Sequence, residues 1–135
     1  MRKNALIIFV LLLFALVTVI NVSAYQNIIR TVGGTVTKVS DGDTIHLTTP
    51  EQTILKVRLY GIDAPETDKI NNHTGHVNIP GQPYGDESWK ALSNKIMNKK
   101  VRVEILDIDK YRRMVGMVFL GDRNINLEMV REGYA

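Results

Sequence analysis

The sequence predicts a mainly β fold, a closed five-stranded barrel carrying two helices. Three observations point there. Short runs rich in Val, Ile, Leu and Thr alternate apolar and polar residues with period two, the pattern of half-buried strands. Asp-Gly, Pro-Glu-Gln and Gly-Asp turn signals separate several of these runs. Between the third and fourth runs lies a stretch of helical period, and a second, shorter one follows the fifth.

Residues 31–40 (TVGGTVTKVS) read as strand 1, interrupted at Gly33-Gly34, and residues 43–49 (DTIHLTT) as strand 2, joined by the Asp41-Gly42 turn in a hairpin. Residues 54–61 form strand 3: Leu55, Val57 and Leu59 lie on one side, Lys56, Arg58 and Tyr60 on the other. Residues 67–85 read as a long polar loop, and loops of that length in a small domain are usually functional or mobile. A helix is expected over residues 86–98, with Asp86 as N-cap and Trp89, Leu92, Ile96 and Met97 as its apolar stripe. Val101, Val103 and Ile105 mark strand 4 and residues 114–120 strand 5. A short helix spans residues 124–132, stopped by Gly133. Three strands, a helix, two strands and a helix suit a Greek-key barrel of the OB type.

The start of the chain has a different character. Met1 to Asn4 is short and basic, residues 5–20 carry no charge, and Val22-Ser23-Ala24 offers small residues where a signal peptidase reads. Residues 1–24 are therefore expected to be a cleaved export signal and residues 25–135 the domain. The competing reading, an uncleaved anchor, is disfavoured because sixteen apolar residues fall short of the roughly 20 that span a bilayer. The expected location is the medium or the cell envelope, with membrane contact only through the signal, and the domain is expected to be a monomer. There is no cysteine, so neither disulfides nor thiol chemistry are available. The net charge of +3 falls away once Arg2 and Lys3 are removed, leaving 15 basic against 14 acidic residues. Nucleic-acid binding cannot rest on bulk charge and has to rest on where particular charges sit.

Asp43 opens strand 2, and Asp63 and Glu66 follow strand 3; clustered carboxylates invite a hard, oxygen-loving cation such as Ca²⁺, with Mg²⁺ second. Asp41 reads instead as a solvated turn residue. Neither Asp41-Gly42-Asp43 nor Asp107-Ile108-Asp109 continues as an EF-hand, since Ile45 and Tyr111 stand where an oxygen ligand is needed. His73 and His76 lie in the loop without a third evident ligand for zinc, and His46 reads as a strand residue facing solvent. Arg58 and Arg113 are candidate phosphate holders, because a guanidinium offers a planar, permanently charged fork.

The strings DGDTIHL, KVRLYGIDAPET, YGDESWKAL and DKYRRMVGMVFLGDRNINLEMVREGYA, in this order, resemble the staphylococcal nuclease (thermonuclease) family from about Gly34 to Ala135. The resemblance implies calcium held by Asp43, Asp63 and the backbone carbonyl of Ala64. It implies Glu66 positioning or deprotonating the attacking water, Arg58 and Arg113 on the scissile phosphate, and Lys110 and Tyr111 near the bound nucleotide. It further implies hydrolysis of DNA or RNA, on flexible or single strands, leaving 3′-phosphate ends. Arg112 and Met114 replace glycines of the best-known member, and the 67–85 loop is longer. The family's C-terminal helix is expected beyond Ala135, so the sequence reads as truncated. The rival readings are a non-catalytic nucleic-acid-binding OB module and an inactive fragment.

Overall fold

The computed structural model describes residues 27–135, so the expected export signal lies outside the described residues. Its elements are β1 (Arg30–Asp41), β2 (Thr44–Thr48), β3 (Ile54–Leu59), β4 (Lys69–Ile70), β5 (Val77–Ile79), α1 (Gly85–Ile96), β6 (Lys100–Ile108), β7 (Met114–Leu120), β8 (Arg123–Asn124) and α2 (Ile125–Arg131). The main sheet runs β3-β2-β1-β6-β7-β8, and a further β3–β7 pairing closes it into a barrel of five principal strands. That closing pair is parallel, while the other pairs of the sheet are antiparallel. Closure removes the exposed edges that an open sheet would present.

β1 is not interrupted at Gly33-Gly34. Its first half pairs with β6, as in Val32 opposite Val103, and its second half with β2, as in Val39 opposite Ile45, with Thr35 serving both partners. One long strand thereby turns a corner of the barrel. The inward rows follow the expected alternation: Val57 and Leu59, then Val101, Val103 and Ile105, are buried with Val36, Ile45, Leu47 and Val118. Each such side chain withdrawn from water is worth roughly 1.5–3 kcal/mol.

Both helices plug this core. α1 contributes Leu92 and Ile96, and α2 contributes Ile125 and Met129. α1 starts one residue before the expected N-cap. Tyr84, in the left-handed region (φ 66°), occupies the cap position without a side-chain bond, and Asp86 and Glu87 sit in the first turn, where the helix dipole favours carboxylates. The buried stripe is Gly85, Ser88, Leu92 and Ile96. Trp89, expected in the stripe, is instead exposed and donates its indole N–H to the Val39 carbonyl at 2.9 Å, and Met97 falls beyond the helix. Asn124 caps α2 by accepting from the Leu127 N–H at 3.1 Å, and Gly133 (φ 78°) lets the chain turn back so that the Tyr134 N–H reaches the Met129 carbonyl. Asn126 is buried on α2 and knits three strand-end groups: it accepts from the Val118 N–H and donates to the Tyr60 and Gly116 carbonyls.

The 67–85 segment is not a featureless loop. β4 and β5 form a small separate hairpin that leads into α1. No helix among the described residues is long and apolar enough to cross a membrane.

Candidate functional site

The β1–β2 turn fixes the first acid. Gly42 sits so close to α1 that a Cβ there would lie 1.7 Å from the Ser88 hydroxyl and 2.8 Å from the Ala64 Cβ. Only glycine lets the turn press against the helix, and this contact carries Asp43 into the barrel end, where its side chain is 1% exposed. Buried charge needs partners. The Asp43 carboxylate accepts from Arg58 Nη1 at 2.6 Å, from the Ala64 N–H at 2.8 Å and from the Thr44 hydroxyl at 2.9 Å. Arg58 lies on β3 opposite Thr44 of β2, on the polar side of its strand, which aims its fork at this point.

The same guanidinium reaches a second acid. Arg58 Nη2 donates to Asp63 Oδ1 at 2.7 Å and, more weakly, to the Ile62 carbonyl at 3.3 Å. Asp43 and Asp63 thus meet across one arginine. Burial opposes the charge on Arg58, but Asp63 and Asp43 prevail and raise its pKa. Asp63 is largely in water, with a side chain 90% exposed.

Glu66 stands apart from this pair. Its carboxylate binds Lys69 Nζ at 2.9 Å, and Lys69 also binds Asp41 at 2.6 Å. Asp41 is not a solvated turn residue: it is buried and accepts additionally from the Thr67 hydroxyl at 2.8 Å and the Thr67 N–H at 3.3 Å. Burial raises the Asp41 pKa, but the bonds from Lys69 and Thr67 outweigh it and the net shift is downward. Glu66 borders a polar cleft of about 300 Å³ with Thr67, Asp68, Gln82 and Tyr84. A more apolar cleft of about 400 Å³ opens beside Asp63, lined by Pro65, Tyr84, Glu87 and Tyr134.

Arg113 belongs to the β6–β7 turn. Asp109 organises that turn: its Oδ1 accepts from the Tyr111 and Arg113 N–H groups, each at 2.9 Å, and its Oδ2 from Arg113 Nε at 2.7 Å. Arg112 takes the left-handed conformation there (φ 60°), which a glycine would adopt without strain. Tyr111 is exposed, with Lys110 Nζ 5.1 Å and the Arg113 guanidinium 5.4 Å from its ring centre. The parallel β3–β7 pairing sets Arg58 opposite Val115, so Arg113 immediately precedes the segment that pairs with β3. Arg58, Asp43 and Asp63 form one bonded group, Glu66 and Lys69 a second, and Arg113, Lys110 and Tyr111 a third.

Among the described residues no three His, Asp or Glu side chains are gathered as a ready-made metal cage. The donor chemistry nonetheless fits a hard cation: among the described residues Asp43 Oδ1 accepts from the Thr44 hydroxyl alone and Asp63 from Arg58 alone, carboxylate oxygens of the type such ions take. His73 and His76 are exposed in the β4–β5 segment. His46 lies on the outer side of β2, as its place between the buried Ile45 and Leu47 requires, partly covered across from Lys38 and Lys56; burial, then those two lysines, lower its pKa.

Comparison with known proteins places this arrangement in context. The family described as staphylococcal nuclease homologue matches residues 56–135. A Haemophilus influenzae protein described as an uncharacterized endonuclease is 39% identical over 100 residues, which cover 74% of this chain and 49% of that protein. Proteins named probable endonuclease LCL3 are similar too: 35% identity over 129 residues in Komagataella phaffii (76% of this chain, 54% of that protein) and 33% over 131 residues in Yarrowia lipolytica (78% and 55%). The chain spans about half the length of these curated relatives.

Proposed function

The chain belongs to the staphylococcal nuclease homologue family, and on that footing we propose that it is an exported, calcium-dependent nuclease that hydrolyses phosphodiester bonds of DNA or RNA or both. One observation carries most of this reading: a single arginine fork spans Asp43 and Asp63 at the barrel end beside the Glu66 segment. In it, oxygen ligands and a phosphate-binding cation share one small region.

Asp43, Asp63 and the Ala64 carbonyl would hold the calcium, which when bound supplies Lewis-acid polarisation of a phosphate oxygen. Glu66 orients a water and takes its proton as the water oxygen attacks phosphorus. The bond to the 5′-oxygen breaks, that oxygen takes a proton from solvent water while Glu66 gives its own back to solvent, and the phosphate stays on the 3′ side. Arg58 and Arg113 donate to the non-bridging oxygens, and their hold strengthens as negative charge builds in the transition state. Arg58 has donors left for this, since its Nε–H and one Nη1–H are not committed to Asp43 or Asp63. Lys110 and Tyr111, on the same turn as Arg113, would meet the neighbouring nucleotide. Flexible single strands are favoured because exposed aromatic rings such as Tyr111 and Tyr84 stack on bases without regard to sequence.

The rival, a non-catalytic nucleic-acid-binding barrel, draws on the fact that Arg58 already occupies oxygens of both Asp43 and Asp63. Turnover of a single-stranded oligonucleotide in calcium separates the two. Glu66→Gln and Arg113→Ala are expected to lower kcat by roughly 10²-fold or more each, the scale of losing a general base or a charge-stabilising donor. Lys99→Ala, which removes an exposed ammonium bonded to the Lys95 carbonyl, serves as the control. Equal turnover in all three proteins refutes the assignment.

A further inference from the structure

One side chain of the β4–β5 hairpin bridges two acids at the site. Lys69, the first residue of β4, has its ammonium 2.6 Å from Asp41 Oδ1 and 2.9 Å from Glu66 Oε2. Asp41 is a rigid anchor: its side chain is only 10% exposed, and Thr67 holds it as well. Glu66 is not rigid by itself, with a side chain 48% exposed. A half-exposed glutamate has three rotatable bonds and little packing to choose among its rotamers. Tethering Oε2 to an ammonium that Asp41 also holds narrows that choice and leaves Oε1 outside the ion pair, on a residue that borders the polar cleft. We infer that Lys69 is a positioning residue, a pin that ties Glu66 and the hairpin together to the buried Asp41.

This rests on the nuclease reading only through the role of Glu66. The same pin has a purely structural consequence. The strand that returns from the hairpin is bonded to the Glu66–Asp68 stretch: the Gly81 N–H donates to Asp68 Oδ1 at 2.6 Å, and the Gln82 N–H to the Glu66 carbonyl at 2.8 Å. Loosening Lys69 should therefore loosen these bonds together. Arginine at the same position can bridge two carboxylates, whereas methionine keeps the length and loses the charge.

The test uses the full chain with Lys69→Met, Lys69→Arg and Glu66→Gln. Amide hydrogen exchange without added metal is expected to be about tenfold faster at Thr67, Gly81 and Gln82 in Lys69→Met, and near wild type in Lys69→Arg, as local opening predicts. With single-stranded DNA and calcium, Lys69→Met is expected to lower kcat about tenfold or more while KM stays within about twofold, the split that loss of positioning gives, with most of kcat restored by arginine. Unchanged exchange in Lys69→Met overturns the pin. Wild-type kcat in Lys69→Met, with Glu66→Gln inactive, overturns the positioning role. Full turnover in Glu66→Gln instead overturns the nuclease role of Glu66, and faster exchange in Lys69→Met then still upholds the pin.

Discussion

Removing Arg58 should expose how much the buried Asp43 depends on it. In Arg58→Met the Asp43 carboxylate, 1% exposed, keeps the Ala64 N–H and the Thr44 hydroxyl but loses its one cationic partner among the described residues. Breaking a fully buried ion pair costs about 3–5 kcal/mol. Arg58 is 20% exposed, so water reaches the vacated edge, and two neutral donors remain. We therefore expect about 2–3 kcal/mol. The bond to Asp63 adds about 0.5 kcal/mol at most, because that carboxylate lies in water. For a domain near 100 residues each kcal/mol moves Tm by about 4–8 °C, so a fall of about 10–20 °C is expected in thermal melts without divalent ions. Arg58→Met/Asp43→Asn should recover about 1–2 kcal/mol of that loss, since no buried charge is then stranded. Calcium should raise the Tm of Arg58→Met more than that of wild type, because it finds two uncompensated carboxylates there. A Tm within about 2 °C of wild type, or a double variant no better than the single one, would refute the claim that Asp43 is held as a buried partner of Arg58.

Three further outcomes follow from particular contacts. Gly42→Ala puts a methyl group on the Ser88 hydroxyl and the Ala64 Cβ, so urea melts should show a loss of about 3 kcal/mol or more; a loss below about 1 kcal/mol would show that the turn does not press on α1. Arg112→Gly relieves the left-handed strain at φ 60° but adds freedom to the unfolded chain, so a net gain of about 0.5–1 kcal/mol is expected, and a measurable destabilisation would contradict it. Glu128, bonded first by Arg123 and also by Lys95, has its pKa lowered from 4.5 to about 2. A depressed folded pKa means that the unfolded chain binds the proton more readily. The stability it lends is whole above pH 4.5 and is lost as pH falls toward 2, and Glu128→Gln should flatten the melting profile across that window, while an unchanged slope would contradict the coupling.

The barrel was legible because its strands alternate cleanly: Val57 with Leu59, and Val101 with Val103 and Ile105, announce an inward row before any contact is known. The parallel β3–β7 closure was not, since nothing local to residues 57–59 names a partner more than fifty residues away. The β4–β5 hairpin escaped notice because its strands are two and three residues long and Ile70, Val77 and Ile79 are all exposed, leaving no alternation to read. The burial of Asp41 is hidden for a related reason: Asp-Gly is a turn signal, and the lysine that makes its burial tolerable is 28 residues further on. Asn126 looks like a surface residue of an amphipathic helix, yet three tertiary bonds hold it inside. The candidate site residues were nameable because Asp43, Arg58 and Asp63 lie in distinctive strings; that Lys69 binds Glu66 and Arg58 spans two acids emerges only from the folded chain.

The most direct measurement is end-group analysis of a short, labelled single-stranded DNA after incubation with the purified chain, with calcium and with a chelator. A calcium-dependent nuclease using Glu66 yields fragments ending in 3′-phosphate, no cleavage with the chelator, and loss of cleavage in Glu66→Gln. Tight binding of the oligonucleotide with no fragments under any condition, or fragments that form equally in Glu66→Gln, would contradict hydrolysis at this site.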